Sequence, residues 1–300
     1  MKKKTYLFTL MAMALTLGSC SDNENGIGGE TSKYITVSTS IGNMTRVATD
    51  EKGGQTFEEG DEISVYAWTG DATVAPETCE RVVNNAINKL TNGSWVSTPQ
   101  MLWKNNRDKH YFIGVYPISA ISDLSAGEYT FDETKQVESD LLVAVNKDGI
   151  SYNADEQQTV PLTFTHVMAK LAVNLTYKNQ WGGIPTVEKV VVGNAAKEAT
   201  INYLTKVVTP STTAKEDFSL PEITENTKYV SVIIPQEDVK QLTIVIGGKN
   251  FVYDNGTPFK LESGKITTVN LEVGRDEIKL GDVKITNWED GSTFSGEALN

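Results

Sequence analysis

The sequence predicts an all-β protein built from antiparallel β-sandwiches. Helix signals are almost absent from the 300 residues, whereas short apolar runs with strand character recur about every ten to fifteen residues. Gly, Asn, Asp and Pro separate these runs, and these residues are typical of turns. A parallel sheet with crossover helices would need helical segments between its strands, and the sequence offers none that are convincing.

The first residues carry signals for export and attachment. Residues 2–4 are three lysines, and the apolar run 6–17 is too short to span a bilayer as a helix, which is typical of a signal peptide. Gly18 and Ser19 precede Cys20, and this ending resembles the lipobox of bacterial lipoproteins. The resemblance implies a signal peptide over residues 1–19 and lipidation of Cys20. An ordinary secretory signal is the alternative.

Residues 20–33 are polar and lack periodicity, which predicts a flexible tether. Its acidic start is similar to an export signal that sends some lipoproteins to the outer face of the Gram-negative outer membrane. Removal of residues 1–19 leaves 24 basic and 39 acidic residues, a net charge of −15. Nucleic acid is therefore not expected as a partner, because its affinity for proteins depends on Lys and Arg.

Residues 34–180 are expected to form an N-terminal β-sandwich domain. Its first strand, 34–42, alternates apolar and polar side chains and is followed by a polar loop. Further strands are predicted over three apolar stretches: 61–68, 109–117 and 139–146. Residues 70–108 have a poor pattern and are either irregular or a hairpin that turns at Asn92 and Gly93.

Residues 160–177 carry two apolar rows of opposite phase, which meet near Met168. A shift of one residue turns side chains to the other face of a strand, so we expect one long strand bent by a bulge or a helical turn. This strand would close the first domain. A Gly- and Pro-containing linker at 178–186 then leads into a C-terminal β-sandwich domain, residues 181–300, which ends in a less regular tail.

The second half also consists of predicted strands separated by turns, and it shows no internal repeat of constant period. Its strand candidates are apolar runs bounded by turn residues: 187–194, 228–236, 240–254, 265–273 and 282–288. Gly247 and Gly248 lie in the middle of the run 240–254, which predicts a hairpin that turns at these two glycines.

The sequence contains no motif for catalysis or for metal binding. His110 and His166 lack metal-ligand spacing. We expect His166 to be a hydrogen-bonded core or interface residue and His110 to mark the solvated start of a strand. Cys79 has no adjacent histidine motif and is expected to be an unreactive free thiol. Acidic pairs such as Glu58–Glu59 are typical of solvated surface in an acidic chain. Neither an enzyme nor a cofactor is predicted.

The five tryptophans are the residues most suited to binding sugars, because an indole ring can stack on a sugar ring. In a β-protein, scattered tryptophans more often belong to the core or its rim. Exposed tryptophans would therefore favour a glycan-binding protein. The five are Trp68, Trp95, Trp103, Trp181 and Trp288.

Several stretches in a fixed order resemble the fimbrillins, the lipoprotein pilins of the Bacteroides and Porphyromonas type (type V pili). They are TRVATDEKGGQTFEEGDEISVYA, GVYP, ESDLLVA, VPLTFTHVMAKLAVNL and GKITTVNLEV followed by ITNWEDG. Together they cover nearly the whole mature chain. The resemblance implies two transthyretin-like antiparallel β-sandwich domains in tandem. It also implies an outer-membrane lipoprotein on the cell surface, in a fimbrium, with roles in adhesion and biofilm formation.

The resemblance further implies assembly with other fimbrillin subunits by strand exchange. An arginine-specific extracellular protease would cut between Arg46 and Val47, and the first strand would leave a groove. The groove-filling face of that strand would be Ile35, Val37, Thr39 and Ile41. A donor strand from the next subunit would fill the groove. The donor here is the tail from about Asp276, with the apolar positions Ile278, Leu280, Val283, Ile285 and Trp288.

This tail departs from a regular donor strand. Lys279, Asp282 and Lys284 interrupt its apolar alternation, and residues 288–291 have the composition of a turn. A tail that folds back on its own domain would suit a tip or accessory subunit better than a shaft subunit, and both stay open. Two further alternatives are a surface lipoprotein that binds glycans or a host or bacterial ligand, and an anchored sandwich that never polymerises.

Overall fold

A computed structural model describes residues 33–42, 56–156, 158–254 and 256–288. In these ranges the chain forms β-strands and two single-turn 3₁₀ helices, Thr78–Glu80 and Asn179–Trp181. The all-β class is confirmed. No helix in these ranges has the length and apolarity required to cross a membrane. The predicted signal peptide, with Cys20, lies outside the described residues.

The first half of the chain forms a seven-stranded sheet in the order β1-β8-β7-β5-β2-β3-β4, with β6 elsewhere. The strands are β1 (Thr36–Ile41), β2 (Glu62–Thr69), β3 (Val83–Thr91), β4 (Ser94–Thr98), β5 (Lys109–Tyr116), β6 (Gly127–Thr130), β7 (Leu142–Ser151) and β8 (Thr159–His166). β1 pairs with β8 in parallel, and the other neighbours in this sheet are antiparallel.

The second half forms three smaller sheets. Its strands are β9 (Ala169–Tyr177), β10 (Val187–Ala196), β11 (Glu198–Asn202), β12 (Val207–Pro210), β13 (Lys215–Ser219), β14 (Glu222–Thr224), β15 (Lys228–Ile233), β16 (Gln241–Ile246), β17 (Lys249–Asp254), β18 (Lys265–Val273) and β19 (Ile278–Asn287). The sheets have the orders β13-β10-β16-β17, β14-β15-β9-β18-β19 and β12-β11-β6. The strand β6 of the first half therefore pairs with β11 of the second.

The central strands β2 and β5 of the seven-stranded sheet are buried on both faces over most of their length. Successive residues of β2 belong to different apolar clusters, because side chains of a strand alternate between faces. Val65 and Ala67 lie in a cluster with Ile35 and Phe164, whereas Tyr66 and Trp68 join the larger cluster that fills the second half. Burial on both faces explains why residues 61–68 form a nearly continuous apolar run.

Two predicted hairpins are confirmed. β3 and β4 are joined at Asn92 and Gly93, whose φ angles are 51° and 73°. β16 and β17 are joined at Gly247 and Gly248, with φ angles of 58° and 72°. Both residues of a two-residue type I′ turn require positive φ, which Asn and Gly adopt most readily.

The prediction of one long bent strand over residues 160–177 is wrong. β8 ends at His166, β9 begins at Ala169, and the two strands belong to different sheets. Between them Val167 and Met168 are buried, and the Met168 carbonyl accepts a hydrogen bond from the Gly264 N–H at 2.8 Å. A strand that passes from one sheet to another shifts its apolar phase just as a bulge does, so the pattern could not separate the two.

The prediction of purely antiparallel sheets is also wrong in two places. β1 pairs with β8 in parallel, and β9 pairs with β18 in parallel. Parallel neighbours need long connections, and the paired Thr36 and Thr159 are 123 residues apart. Alternation of apolar side chains has the same period in both directions, so sequence could not reveal this feature.

Candidate strand-exchange site

β1 occupies one edge of the seven-stranded sheet. Its register on β8 runs from Thr36 opposite Thr159 to Ile41 opposite Phe164. Beyond the ladder, the Gly42 N–H donates to the Phe164 carbonyl at 2.7 Å. Side chains on the outer face add weaker bonds, such as the one from the Ser40 hydroxyl to Thr163 Oγ1 at 3.2 Å. An edge strand of this kind is bonded to one neighbour along its length.

The four residues expected to fill a groove share the inner face of β1 and of the residue preceding it. Ile35 and Val37 are buried, with 1% and 6% of their surface exposed, whereas Thr39 and Ile41 are half-buried. Ile35, Val37 and, at its margin, Ile41 join an apolar cluster that includes a buried row on β8: Val160, Leu162 and Phe164. Removal of β1 would expose part of this cluster to solvent.

The sheet curls so that β1 also approaches the other end of the sheet order. Trp95 on β4 donates its indole N–H to Thr39 Oγ1 at 3.0 Å. Before β1, the Ile35 N–H donates to the Met101 carbonyl at 2.9 Å, and the Trp103 N–H donates to the Lys33 carbonyl at 3.2 Å. β1 is therefore held by the ladder of β8 on one side and by a few separate bonds on the other.

A cleft of about 720 Å³ runs along β1 on the side of β4. Phe57 lies in its wall, with ring centroids 5.3 Å from Trp95, 5.4 Å from Tyr116 and 5.1 Å from Phe164. Burial, reinforced by the adjacent Asp61 carboxylate, raises the pKa of Tyr116 to about 12. The Tyr116 hydroxyl donates to Asp61 Oδ1 at 3.3 Å.

Gly114 on β5 makes room for the buried row of β8. A Cβ at this position would lie 2.6 Å from Phe164 Cζ and 3.1 Å from Leu162 Cδ1. The sequence prediction of site residues did not include Gly114, Phe164 or Phe57. A signal existed for Gly114, because an isolated glycine inside an apolar strand often marks a close approach of another chain segment.

The described residues nearest in sequence to the expected cleavage point lie at the cleft. Ile41 before it and Thr56 after it both line the cleft. Arg46 and Val47, the residues expected to flank the cut, lie outside the described residues.

The tail forms β19 and pairs with β18 of its own chain. The antiparallel register runs from Ile278 opposite Val273 to Asn287 opposite Lys265, with an irregularity next to Gly281. The apolar candidates Leu280, Val283 and Ile285 lie opposite buried or inward positions of β18, yet 38%, 39% and 40% of their surface is exposed. Ile278 is half-buried. β19 is thus an edge strand with an incompletely covered apolar row.

Trp288, the last tail candidate, is buried directly after β19. Its indole stacks on the His166 imidazole, with centroids 4.2 Å apart and planes 9° from parallel. Lys170 Nζ lies 4.3 Å from the centroid of the same indole. Burial lowers the pKa of Lys170 from 10.5 to about 8. His166 Nδ1 lies 2.8 Å from Asp140 Oδ1, so His166 is a hydrogen-bonded interface residue, as expected.

The prediction that His110 marks a solvated strand start is wrong. His110 is fully buried, and the Trp103 ring lies edge-on to it at 5.0 Å. Its Nε2 accepts a hydrogen bond from the Lys104 N–H at 3.1 Å, and burial lowers its pKa. The charged residues before His110 form a turn, while Trp103 folds over the strand, a contact that sequence spacing does not show. Cys79 is exposed and is a free thiol, as expected.

The described residues give little support for glycan binding or for metal binding. None of the five tryptophans is exposed, so the feature that would favour glycan binding is missing from this chain. In the part of the chain that the structure describes, no group of three or more His, Cys, Asp or Glu side chains is arranged to hold a metal ion.

The fold and sequence are similar to those of known surface proteins. A family model described as Fimbrillin-like matches residues 45–288. A crystal structure of a protein from Bacteroides uniformis, provisionally assigned to cell adhesion, has a TM-score of 0.64 and 19% identity, covering 86% of this chain and 100% of that one. A second, from Bacteroides ovatus and with the same provisional assignment, has a TM-score of 0.62 and 18% identity, covering 85% and 98%.

At these identities the two structures show a shared fold. No protein of curated function matches the chain. The family match, in contrast, spans most of the chain: it begins after β1 and includes Phe57 and β4 in the cleft wall, β8 and β19. The chain belongs to the Fimbrillin-like family, the structural, non-enzymatic fimbrial proteins of the cell surface.

Proposed function

We propose that this chain is a subunit of a type V fimbria that is secreted as a lipoprotein and assembled by protease-triggered donor-strand exchange. The observation that carries the proposal is β1: an edge strand with an inward apolar row, which Arg46 follows in the sequence. An exchangeable strand must lie at a sheet edge, bury side chains and be separable by one cut. β1 meets the first two requirements, and the third is the subject of the test below.

In this proposal Cys20 carries the lipid, and residues 20–33 tether the chain to the outer face of the outer membrane. The lipobox-like ending of the signal and the acidic residues after Cys20 support this location. The folded part then consists of two transthyretin-like β-sandwiches in tandem. Strand pairing favours a boundary near Met168, ahead of the expected residue 180, because β9 pairs with β15 and β18.

Cleavage between Arg46 and Val47 by an arginine-specific protease would act as the switch for assembly. While β1 occupies its seat, the buried row of β8 has no room for another strand. Each of the larger apolar side chains on β1 contributes about 1.5–3 kcal/mol when fully buried. A donor strand that offers similar side chains and a full ladder therefore replaces β1 with little net cost.

The tail with β19 is the proposed donor for a neighbouring subunit. Its pairing with β18 of the same chain also supports the other role left open by the sequence, a tip or accessory subunit that accepts a donor and keeps its own tail. In either role the partners are other fimbrial subunits, and adhesion to host or bacterial surface ligands would be a property of the assembled fimbria.

The test is treatment of the mature protein with an arginine-specific protease, followed by N-terminal sequencing and electron microscopy. We expect a product that starts at Val47 and loses residues 20–46, and only this product should form filaments. The chain offers matched controls in the exposed Arg107 and Arg275. Arg107→Ala and Arg275→Ala should leave cleavage and assembly unchanged, whereas Arg46→Ala should abolish both.

Two outcomes would contradict the proposal. One is filament formation by the Arg46→Ala variant. The other is a correctly cut product that stays monomeric at high concentration and does not bind a peptide of residues 276–300. Binding of that peptide without filaments would instead identify a tip or accessory subunit.

A further inference from the structure

Trp288 lies in a seat, defined here as His166, Lys170 and Gly264, at the ends of three strands from two sheets. His166 ends β8, Lys170 is the second residue of β9, and Gly264 immediately precedes β18. The indole lies against the first two, and the backbone N–H of Trp288 donates to the Gly264 carbonyl at 3.2 Å. The seat therefore joins the end of the tail strand to the junction between the seven-stranded and five-stranded sheets.

Trp288 is buried more completely in this seat than the apolar side chains of β19 are against β18. Only 5% of the Trp288 surface is exposed, compared with about 40% for Leu280, Val283 and Ile285 on β19 itself. A buried tryptophan removes far more apolar surface from water than a half-covered valine. Among the described residues of the tail, Trp288 is thus the most completely buried apolar side chain.

This contact also contains features that make it reversible. The indole N–H of Trp288 is buried and has no hydrogen-bond partner among the described residues. Trp68, Trp95 and Trp181, in contrast, each donate their indole N–H to an oxygen atom. A buried donor without a partner costs stability, and it would regain a bond with water on leaving.

Burial of Lys170 also favours opening of this contact. Its ammonium group is almost fully buried beneath the indole, with 2% of the residue exposed, and its lowered pKa records the cost of that burial. Departure of Trp288 would open the face of the seat to water and hydrate this charge. The indole, the unbonded N–H and the buried cation together form a contact that is tight when closed and readily hydrated when open.

We propose that Trp288 is a latch that keeps β19 in its own chain, and that its withdrawal from the seat of His166, Lys170 and Gly264 is the step that frees the tail for another subunit. The second clause rests on the proposed function, in which the tail is a donor. The first does not, because it concerns the stability of β19 in the isolated protein.

Amide hydrogen exchange of the mature, uncut protein tests the latch without assembly. Trp288→Ala should speed exchange over residues 283–287 on the order of 100-fold, because truncation of a buried tryptophan removes several kcal/mol of local stabilisation. Trp288→Phe, which keeps a ring against His166 and Lys170, should restore most of the protection. Trp181→Ala is the matched control, because Trp181 bonds to the Val273 carbonyl at the opposite end of β18. It should speed exchange near residues 273–278 and leave 283–287 unchanged.

Equal exchange over residues 283–287 in the wild type and in Trp288→Ala would overturn the latch, as would a Trp181→Ala effect of the same size there. A second arm then mixes each uncut variant, as tail donor, with a cut acceptor. Faster exchange with more donation by Trp288→Ala supports both clauses. Faster exchange without any donation by wild type or variant keeps the latch and rejects the tail as donor, so the two failures are distinguishable.

Discussion

The Trp95 indole N–H donates to the Thr39 hydroxyl at 3.0 Å, which joins the first and the last strand in the order of the seven-stranded sheet. Thr39 belongs to β1, and β1 is the strand that the proposed assembly removes. The bond adds to the ladder on β8, and it crosses a cleft that solvent can enter. β1 is therefore held from two sides by contacts of unequal strength.

Thr39→Val should loosen β1 without disturbing the rest of the sheet. The substitution keeps the β-branched shape but removes the acceptor for Trp95, which costs about 1 kcal/mol. Amide exchange over residues 36–41 should accelerate about fivefold. Ser38→Val is the control, because Ser38 is exposed on the outer face of the same strand. If both variants exchange alike, the Trp95 bond does not hold β1.

Gly114→Ala should destabilise the protein by about 2 kcal/mol or more, because the added Cβ overlaps the Phe164 ring beneath β1. Urea unfolding measures this loss. Gly193→Ala is the control, since its nearest neighbour is the mobile end of Gln241 at 3.1 Å, and it should cost less. Adding Phe164→Leu to Gly114→Ala should recover part of the stability. No recovery would show that the clash with Phe164 is not the cause.

Stability should depend on pH through Lys170. The folded state releases the proton of Lys170 at about pH 8, and the unfolded chain holds it to about 10.5. Between these values the unfolded state binds more protons, so the free energy of unfolding rises with pH, and below pH 8 the full cost of the buried charge remains. Lys170→Met removes this dependence.

From pH 7 to pH 10 the wild type should therefore gain about 2 kcal/mol relative to Lys170→Met, as measured by urea unfolding at each pH. The comparison with Met matters because tyrosines of the unfolded chain ionise near pH 10, whereas burial raises the pKa of tyrosines such as Tyr116 in the folded state, and both proteins share this effect. A constant difference between the two curves would contradict a buried, charged Lys170 in the seat.

The tail should be a separable strand. A chain that ends at Arg275 exposes the inward row of β18, so it should bind a fluorescent peptide of residues 276–300, and the peptide should raise its melting temperature. A peptide in which Leu280, Val283 and Ile285 are replaced by serine should bind at least about tenfold more weakly, because it loses the apolar row that lies opposite β18. Equal binding of both peptides would mean that side chains contribute little to the pairing.

Sequence was sufficient for elements whose cause is local. Asn92–Gly93 and Gly247–Gly248 predicted their hairpins because few residues adopt positive φ, and the alternation at Ile35 and Val37 predicted an inward face. Sequence was insufficient wherever a partner is distant in the chain. The parallel pairing of β1, the change of sheet at Met168 and the cover of Trp103 over His110 all depend on contacts between segments that share no local signal.

The residues of the candidate site also fall into those that sequence could identify and those that it could not. Trp288 was identified as a candidate from the tail, but its neighbours were not, because His166 and Lys170 lie more than 100 residues earlier in the chain. A single apolar residue at the end of an irregular strand gives no indication of a stacked, cation-containing seat. Phe57 could be assigned to the cleft, and Gly114 to the packing beneath Phe164, only once β5 and β8 were known to be close together.

The position of β1 at the start of the folded chain has a mechanical consequence. Under the proposed anchoring at Cys20, every covalent path from the membrane to the body of the protein passes through β1 and then Arg46. After the cut, the contacts that the described residues offer to keep the body attached to the membrane are the β8 ladder with its side-chain bonds, the buried Ile35 and Val37 and the few bonds to Met101, Trp103 and Trp95. The same strand that blocks the groove then sets the time a cleaved subunit remains at the surface before it is incorporated or lost.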